Sequence, residues 1–184
     1  MKVRCLQYFC LAAILSLVCT HAAAADLTGF VGGIKPGKLS LQGVSSPLDS
    51  SPVYGFRLGL GFLPFLGHEH TLAFSSDYLF PSSLKGITDS RGFVYSSNLV
   101  LNAKVGRAVP YLTAGLGLIH QYGSENLPIG TRFAINYGGG IKFPRIAGPF
   151  GLRFDARGYT ATGLSSGSLN MIEVSGGVLI TLGK

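Results

Sequence analysis

Eight times along this chain, a segment of about ten residues alternates apolar with polar or small side chains, with turn residues between segments. Successive side chains of a β-strand point to opposite faces, so a period of two over such a length reads as a strand with one apolar face. The segments fall at about 27–35, 53–63, 70–80, 92–105, 110–121, 131–143, 150–160 and 170–182. In 53–63, Tyr54, Phe56, Leu58, Leu60 and Phe62 oppose Gly55, Arg57, Gly59 and Gly61. In 70–80, Leu72, Phe74, Tyr78 and Phe80 oppose Thr71, Ala73, Ser75 and Asp77. In 150–160, Phe150, Leu152, Phe154 and Ala156 oppose Arg153, Asp155 and Arg157, and in 170–182 Ile172, Val174 and Val178 oppose Glu173 and Ser175.

The first 25 residues read differently. Lys2 and Arg4, an apolar run from Phe9 to Val18, and the small residues Ala23-Ala24-Ala25 predict an export signal over Met1–Ala25, with cleavage before Asp26. Cys19 follows a Leu-rich run, but Val18 before it does not suit a lipoprotein signal. Cleavage removes Cys5, Cys10 and Cys19, the only cysteines, so the exported chain of residues 26–184 carries no thiol or disulfide chemistry. It also removes Lys2 and Arg4, taking the formal net charge from +7 to +5. The remaining Lys and Arg are scattered, without the basic stripe that nucleic acid requires.

Only 12% of the residues are charged, against about 25% in soluble domains. After residue 25 no apolar run is long enough for a spanning helix. A hydrophobic exported chain without spanning helices has a closed β-barrel as its membrane solution, because closure pairs every backbone group. Alternation does not say which face is inside. The polar face is mostly Gly, Ser, Thr and Asn, and its charges are of both signs: Arg57, Asp77, Lys104, Arg132, Lys142, Arg153, Asp155, Arg157 and Glu173. Such a set suits mutual pairing in a narrow lumen better than solvation of a soluble surface. Aromatic residues gather towards segment ends, Tyr54, Tyr78, Phe80, Phe93, Tyr95 and Phe133 at one rim and Phe62, Phe65, Phe143 and Phe150 at the other, as membrane interfaces require. Connections alternate between long (36–52, 81–91, 122–130, 161–169) and short (64–69, 106–109, 144–149), the asymmetry of loops outside and turns inside. The expected fold is therefore all-β, an eight-stranded antiparallel up-and-down transmembrane β-barrel.

Val109-Pro110-Tyr111-Leu112-Thr113-Ala114-Gly115-Leu116-Gly117 and Tyr137-Gly138-Gly139-Gly140-Ile141-Lys142 carry a resemblance to the small OmpA-like and OmpX-like outer-membrane barrels of Gram-negative bacteria. It extends over the whole of 26–184. It implies a monomer in the cell outer membrane, in contact with outer-membrane lipids and lipopolysaccharide and inserted by the outer-membrane assembly machinery. Members of that family typically end on an aromatic residue, whereas this sequence ends Thr181-Leu182-Gly183-Lys184.

Candidate sites are few. Arg57, Asp77, Arg153, Asp155, Arg157 and Glu173 share the inward parity and are expected to form a charge network that plugs the lumen, since eight strands enclose only enough room for side chains. Gly32-x4-Gly37-Lys38 mimics a phosphate loop, but Leu39 stands where Ser or Thr would hold magnesium and no helix follows. His68-Glu69-His70 is expected in a solvated turn; on a strand, its imidazoles would share a face and offer a metal two ligands. His120, Ser124 and Glu125 lie near the outer rim, where the barrel family's lipid A deacylases place Ser and His. The expected function is thus a non-enzymatic barrel of structural or surface-interaction role, with no catalytic residue, cofactor or metal. Alternatives are a lipid A deacylase-like hydrolase using His120 and Ser124, or a soluble lipocalin-like periplasmic carrier with the apolar face inward.

Overall fold

A computed structural model describes residues 24–37, 39–41, 44–46, 49–78, 89–124, 129–164 and 167–182. The expected export signal lies outside them, except for Ala24 and Ala25. Among the described residues there are ten strands: β1 (Ala24–Pro36), β2 (Leu39–Leu41), β3 (Val44–Ser46), β4 (Ser51–Gly61), β5 (Leu66–Ser75), β6 (Ser90–Asn102), β7 (Val109–Gly123), β8 (Thr131–Ala147), β9 (Phe150–Leu164) and β10 (Gly167–Leu182). Eight of them close a barrel in the order β1-β10-β9-β8-β7-β6-β5-β4, each pair antiparallel. Closure falls on β1, where Ala25 pairs with Leu182 on one side and Leu60 on the other. A closed ladder leaves no edge of unpaired N–H and C=O groups, which is what a strand needs to cross hydrocarbon. The remaining two strands, β2 and β3, form a small hairpin within the first long connection.

The faces are those of a membrane barrel. Val31, Phe56 and Leu112 are 69%, 59% and 68% exposed, while Arg57 and Arg153 are 0% exposed. A soluble carrier requires the reverse. The barrel strands, 10 to 17 residues long, meet or exceed the roughly 9–11 needed to span a bilayer on a tilt. On the outer wall Tyr54, Phe74 and Phe93 sit side by side on β4, β5 and β6, with ring centroids 6.4 and 5.3 Å apart, as one arc of an interfacial aromatic belt.

Three local expectations are corrected. The segment placed at 70–80 is β5, four to five residues earlier, so His68-Glu69-His70 lies within a strand and not in a turn. Asp77 and Tyr78 therefore fall beyond its end, where alternation no longer governs them. Asp77 is exposed, and Tyr78 is buried inside instead of joining the outer rim. Its ring lies over Gly92 so closely that a Cβ there would fall within it. The last connection, expected to be long at 161–169, is mostly strand: Leu169 pairs with Ala161 and Gly167 with Leu164, across one register shift. Lys104, expected on the inward face, is exposed in the turn after β6.

Candidate functional site: the barrel lumen

Inward side chains occupy three levels. At the middle, three guanidinium groups meet three carboxylates. Arg57 on β4 reaches Asp155 Oδ2 at 3.0 Å and Glu173 Oε1 at 2.5 Å. Arg153 on β9 donates from Nη1 to Glu69 Oε2 at 2.5 Å and from Nη2 to Asp155 Oδ1 at 3.0 Å. Arg157, also on β9, donates from Nη2 to Glu69 Oε1 at 2.5 Å and to Asp155 Oδ1 at 3.1 Å. Every side chain in this set is at most 2% exposed. Charges so fully removed from water persist only when paired and hydrogen-bonded, and this set balances to zero.

Hydroxyl and amide groups extend the network, which leaves Arg57 Nε without a hydrogen-bond partner among the described residues. Tyr111 donates to Asp155 and accepts from Arg153 Nη2 at 2.8 Å, with the Arg153 guanidinium 4.8 Å from its ring centroid. Tyr159 donates to Glu173 Oε2 at 2.8 Å, and Ser175 donates to Glu173 Oε1 at 2.8 Å. The face of Phe30 covers the Arg57 guanidinium at 3.6 Å. With the Asn98 amide oriented to satisfy its surroundings, its oxygen accepts from Arg157 Nη1 at 3.0 Å and its nitrogen donates to Asn136 Oδ1 at 2.9 Å.

The level towards the long connections is apolar. Phe30, Ile34, Val53, Ala73, Val94 and Ile119, with Ala134, Tyr159, Ala161, Leu169 and Met171, form a buried cluster inside the barrel. Tyr78 and Ile129 join it from the connections that follow β5 and β7. Gln121 ties both down: its Nε2 donates to Ser90 Oγ at 2.8 Å and to Tyr78 O at 3.3 Å, and its Oε1 accepts Ile129 N–H at 3.0 Å. Towards the short turns the lumen opens into a cavity of about 310 Å3, lined among others by Asp26, Glu69, Asn102 and Lys142. Lys142 Nζ crosses it to Asp26 Oδ2 at 2.8 Å.

Of the six residues expected to meet in the lumen, the structure brings together Arg57, Arg153, Asp155, Arg157 and Glu173, and leaves Asp77 outside. Glu69 takes the place expected of Asp77. Both are odd-numbered and share the inward parity, so alternation does not distinguish them; only the end of β5 at Ser75 does. The apolar cluster was not foreseen either, although the inward parity of Phe30, Val53, Val94 and Ile119 was readable once each strand's phase was fixed.

The other candidates are placed as follows. Of the phosphate-loop spacing, Gly32 to Pro36 is continuous strand in β1, Gly37 follows its end, and Lys38 lies outside the described residues. His120 stands on the outer wall, with Nδ1 2.7 Å from Thr131 Oγ1 and its ring stacked on Tyr122 at 5.6 Å. Ser124 Oγ accepts Asp89 N–H at 2.9 Å. Glu125 lies outside the described residues.

Closure, an apolar outer wall and a charge-balanced interior are the features of barrels built for the outer membrane, and the comparison of sequences agrees. The outer membrane protein beta-barrel domain model matches residues 10–177. The chain belongs to this family. It is accordingly an outer-membrane β-barrel, at home in the Gram-negative cell envelope. No curated protein matches the sequence. Among solved structures, the fold is similar to Neisserial surface protein A, at 15% identity and a TM-score of 0.65, covering 85% of this chain and 96% of that one. It is also similar to OprG from Pseudomonas aeruginosa, at 11% identity and a TM-score of 0.61, covering 89% and 98%. The N-terminal barrel domain of OprF from the same organism aligns at 16% identity and a TM-score of 0.50, covering 86% and 98%.

Proposed function

We propose that this outer-membrane barrel is closed to solutes and non-enzymatic, with a structural or surface-interaction role carried by its outer connections. The observation that supports closure is the stacking of two different seals in one lumen. A solute would have to separate ion pairs buried in a low-dielectric interior, then part a packed apolar cluster. In this reading the barrel works as a monomer, its wall contacts outer-membrane lipids, its outer rim contacts lipopolysaccharide, and it reaches the membrane through the assembly machinery after loss of Met1–Ala25. The separate engagements of His120 with Thr131 and of Ser124 with Asp89 favour the non-enzymatic reading over a hydrolase.

Planar-bilayer recording with pure, folded protein tests closure. The expected result is the absence of porin-like conductance steps. Steady steps that disappear on boiling the sample would overturn the proposal.

A further inference from the structure

His68 and His70 are out of place. Both stand on the outer face of β5, where the paired residues of β4 and β6 include the exposed Leu58 and Leu99, and the exposed Leu72 follows on the same face of β5. Ionisable side chains on a lipid-facing wall are costly, and where they persist they mark function. Nothing in the lumen network uses them: Glu69 between them points inward to Arg153 and Arg157.

Their geometry is specific. The two rings lie 4.7 Å apart, centroid to centroid, in an edge-on arrangement. His68 Nε2 is 2.9 Å from Ser97 Oγ, and His70 Nδ1 is 2.9 Å from Tyr95 OH, both hydroxyls belonging to β6. Each imidazole therefore has one nitrogen held by a hydroxyl, while His68 Nδ1 and His70 Nε2 have no hydrogen-bond partner among the described residues. An imidazole that donates through one nitrogen presents a lone pair on the other. Metal-binding histidines are arranged this way, the outer hydrogen bond fixing tautomer and ring orientation.

We propose that His68 and His70 form a two-imidazole site for a divalent transition-metal ion, of the Cu2+ or Zn2+ class that imidazole favours. Ser97 and Tyr95 are its positioning residues. Metal–nitrogen bonds of about 2.0–2.1 Å suit one ion held between two adjacent rings. Among the described residues no cluster of three or more His, Cys, Asp or Glu is placed to hold an ion. The remaining positions are therefore filled by water or an exogenous ligand. Water reaches the pair from the short-turn end, since His68 lies two residues from the start of β5, roughly 7 Å along the strand. In outer-membrane barrels the short turns face the periplasm.

The test uses the full folded barrel, purified without a histidine tag, titrated with Cu2+ in detergent and read by electron paramagnetic resonance. Retention of the SDS heat shift serves as the folding control for each variant. The expected result is one Cu2+ per chain coupled to two nitrogens, falling to one nitrogen in H68A and in H70A and unchanged in H120A. S97A and Y95F are expected to weaken binding about 10- to 100-fold without changing the nitrogen count. The proposal is overturned if the wild type binds no more Cu2+ than the H68A/H70A double variant, or if either single variant keeps two nitrogens. It is equally overturned if S97A and Y95F both leave the affinity unchanged.

Discussion

Glu69→Gln isolates the physics of the lumen. Glu69 is fully buried and takes one guanidinium on each oxygen, Arg153 on Oε2 and Arg157 on Oε1, both at 2.5 Å. The amide keeps the shape but removes the charge, and it turns an NH2 towards one of two groups that can only donate. Three guanidinium groups then face two carboxylates, Asp155 and Glu173, on side chains so buried that solvent screens them little. Breaking a buried pair from one side costs about 3–5 kcal/mol, because the partner is left charged and uncompensated. With a urea slope of about 2 kcal/mol per M, the unfolding midpoint in lipid vesicles falls by about 1.5–2.5 M. The control is the double variant Glu69→Met with Arg157→Met. It restores two guanidinium groups against two carboxylates and replaces an ion pair by apolar volume, so it is expected to lie closer to the wild type than Glu69→Gln does. The reasoning is refuted if Glu69→Gln costs less than about 1 kcal/mol, or if the double variant is less stable than the single one.

Two further outcomes follow from the same structure. Gly92→Ala drives a methyl group into the Tyr78 ring and is expected to cost about 1–3 kcal/mol, seen as a lower temperature for the SDS gel shift; Tyr78→Ala in the same chain should recover part of the loss. Leu116→Arg, on the exposed wall of β7, places a charge in the lipid and is expected to cost about 2–4 kcal/mol in vesicle unfolding, whereas an uncharged Leu116→Met should be nearly silent.

Much of the architecture is legible in the sequence. Period-two alternation is a local property of an extended backbone, so strand number, the inward parity of Arg57, Arg153, Asp155, Arg157 and Glu173, and the outward parity of Phe56, Leu112 and Ile172 follow from neighbours in sequence. The balance of the composition, too apolar for a soluble shell and without a spanning helix, decided which parity faces lipid. Parity does not report where a strand ends or how deep a residue sits. Those are set by pairing with chains distant in sequence. Because β5 pairs with β6 from Leu66 to Ser75 and with β4 from Gly67 to Phe74, Glu69 enters the lumen network and Asp77 does not, and the two histidines rise out of a turn onto the lipid-facing wall. Closure likewise decided what no single strand encodes. It gathers Phe30, Val53, Val94, Ile119 and Met171 from five strands into one apolar cluster, and it sets three cations against three carboxylates at one level. Which inward residues exist is written locally; which of them meet depends on cross-strand register, and that is fixed only when the sheet closes on itself.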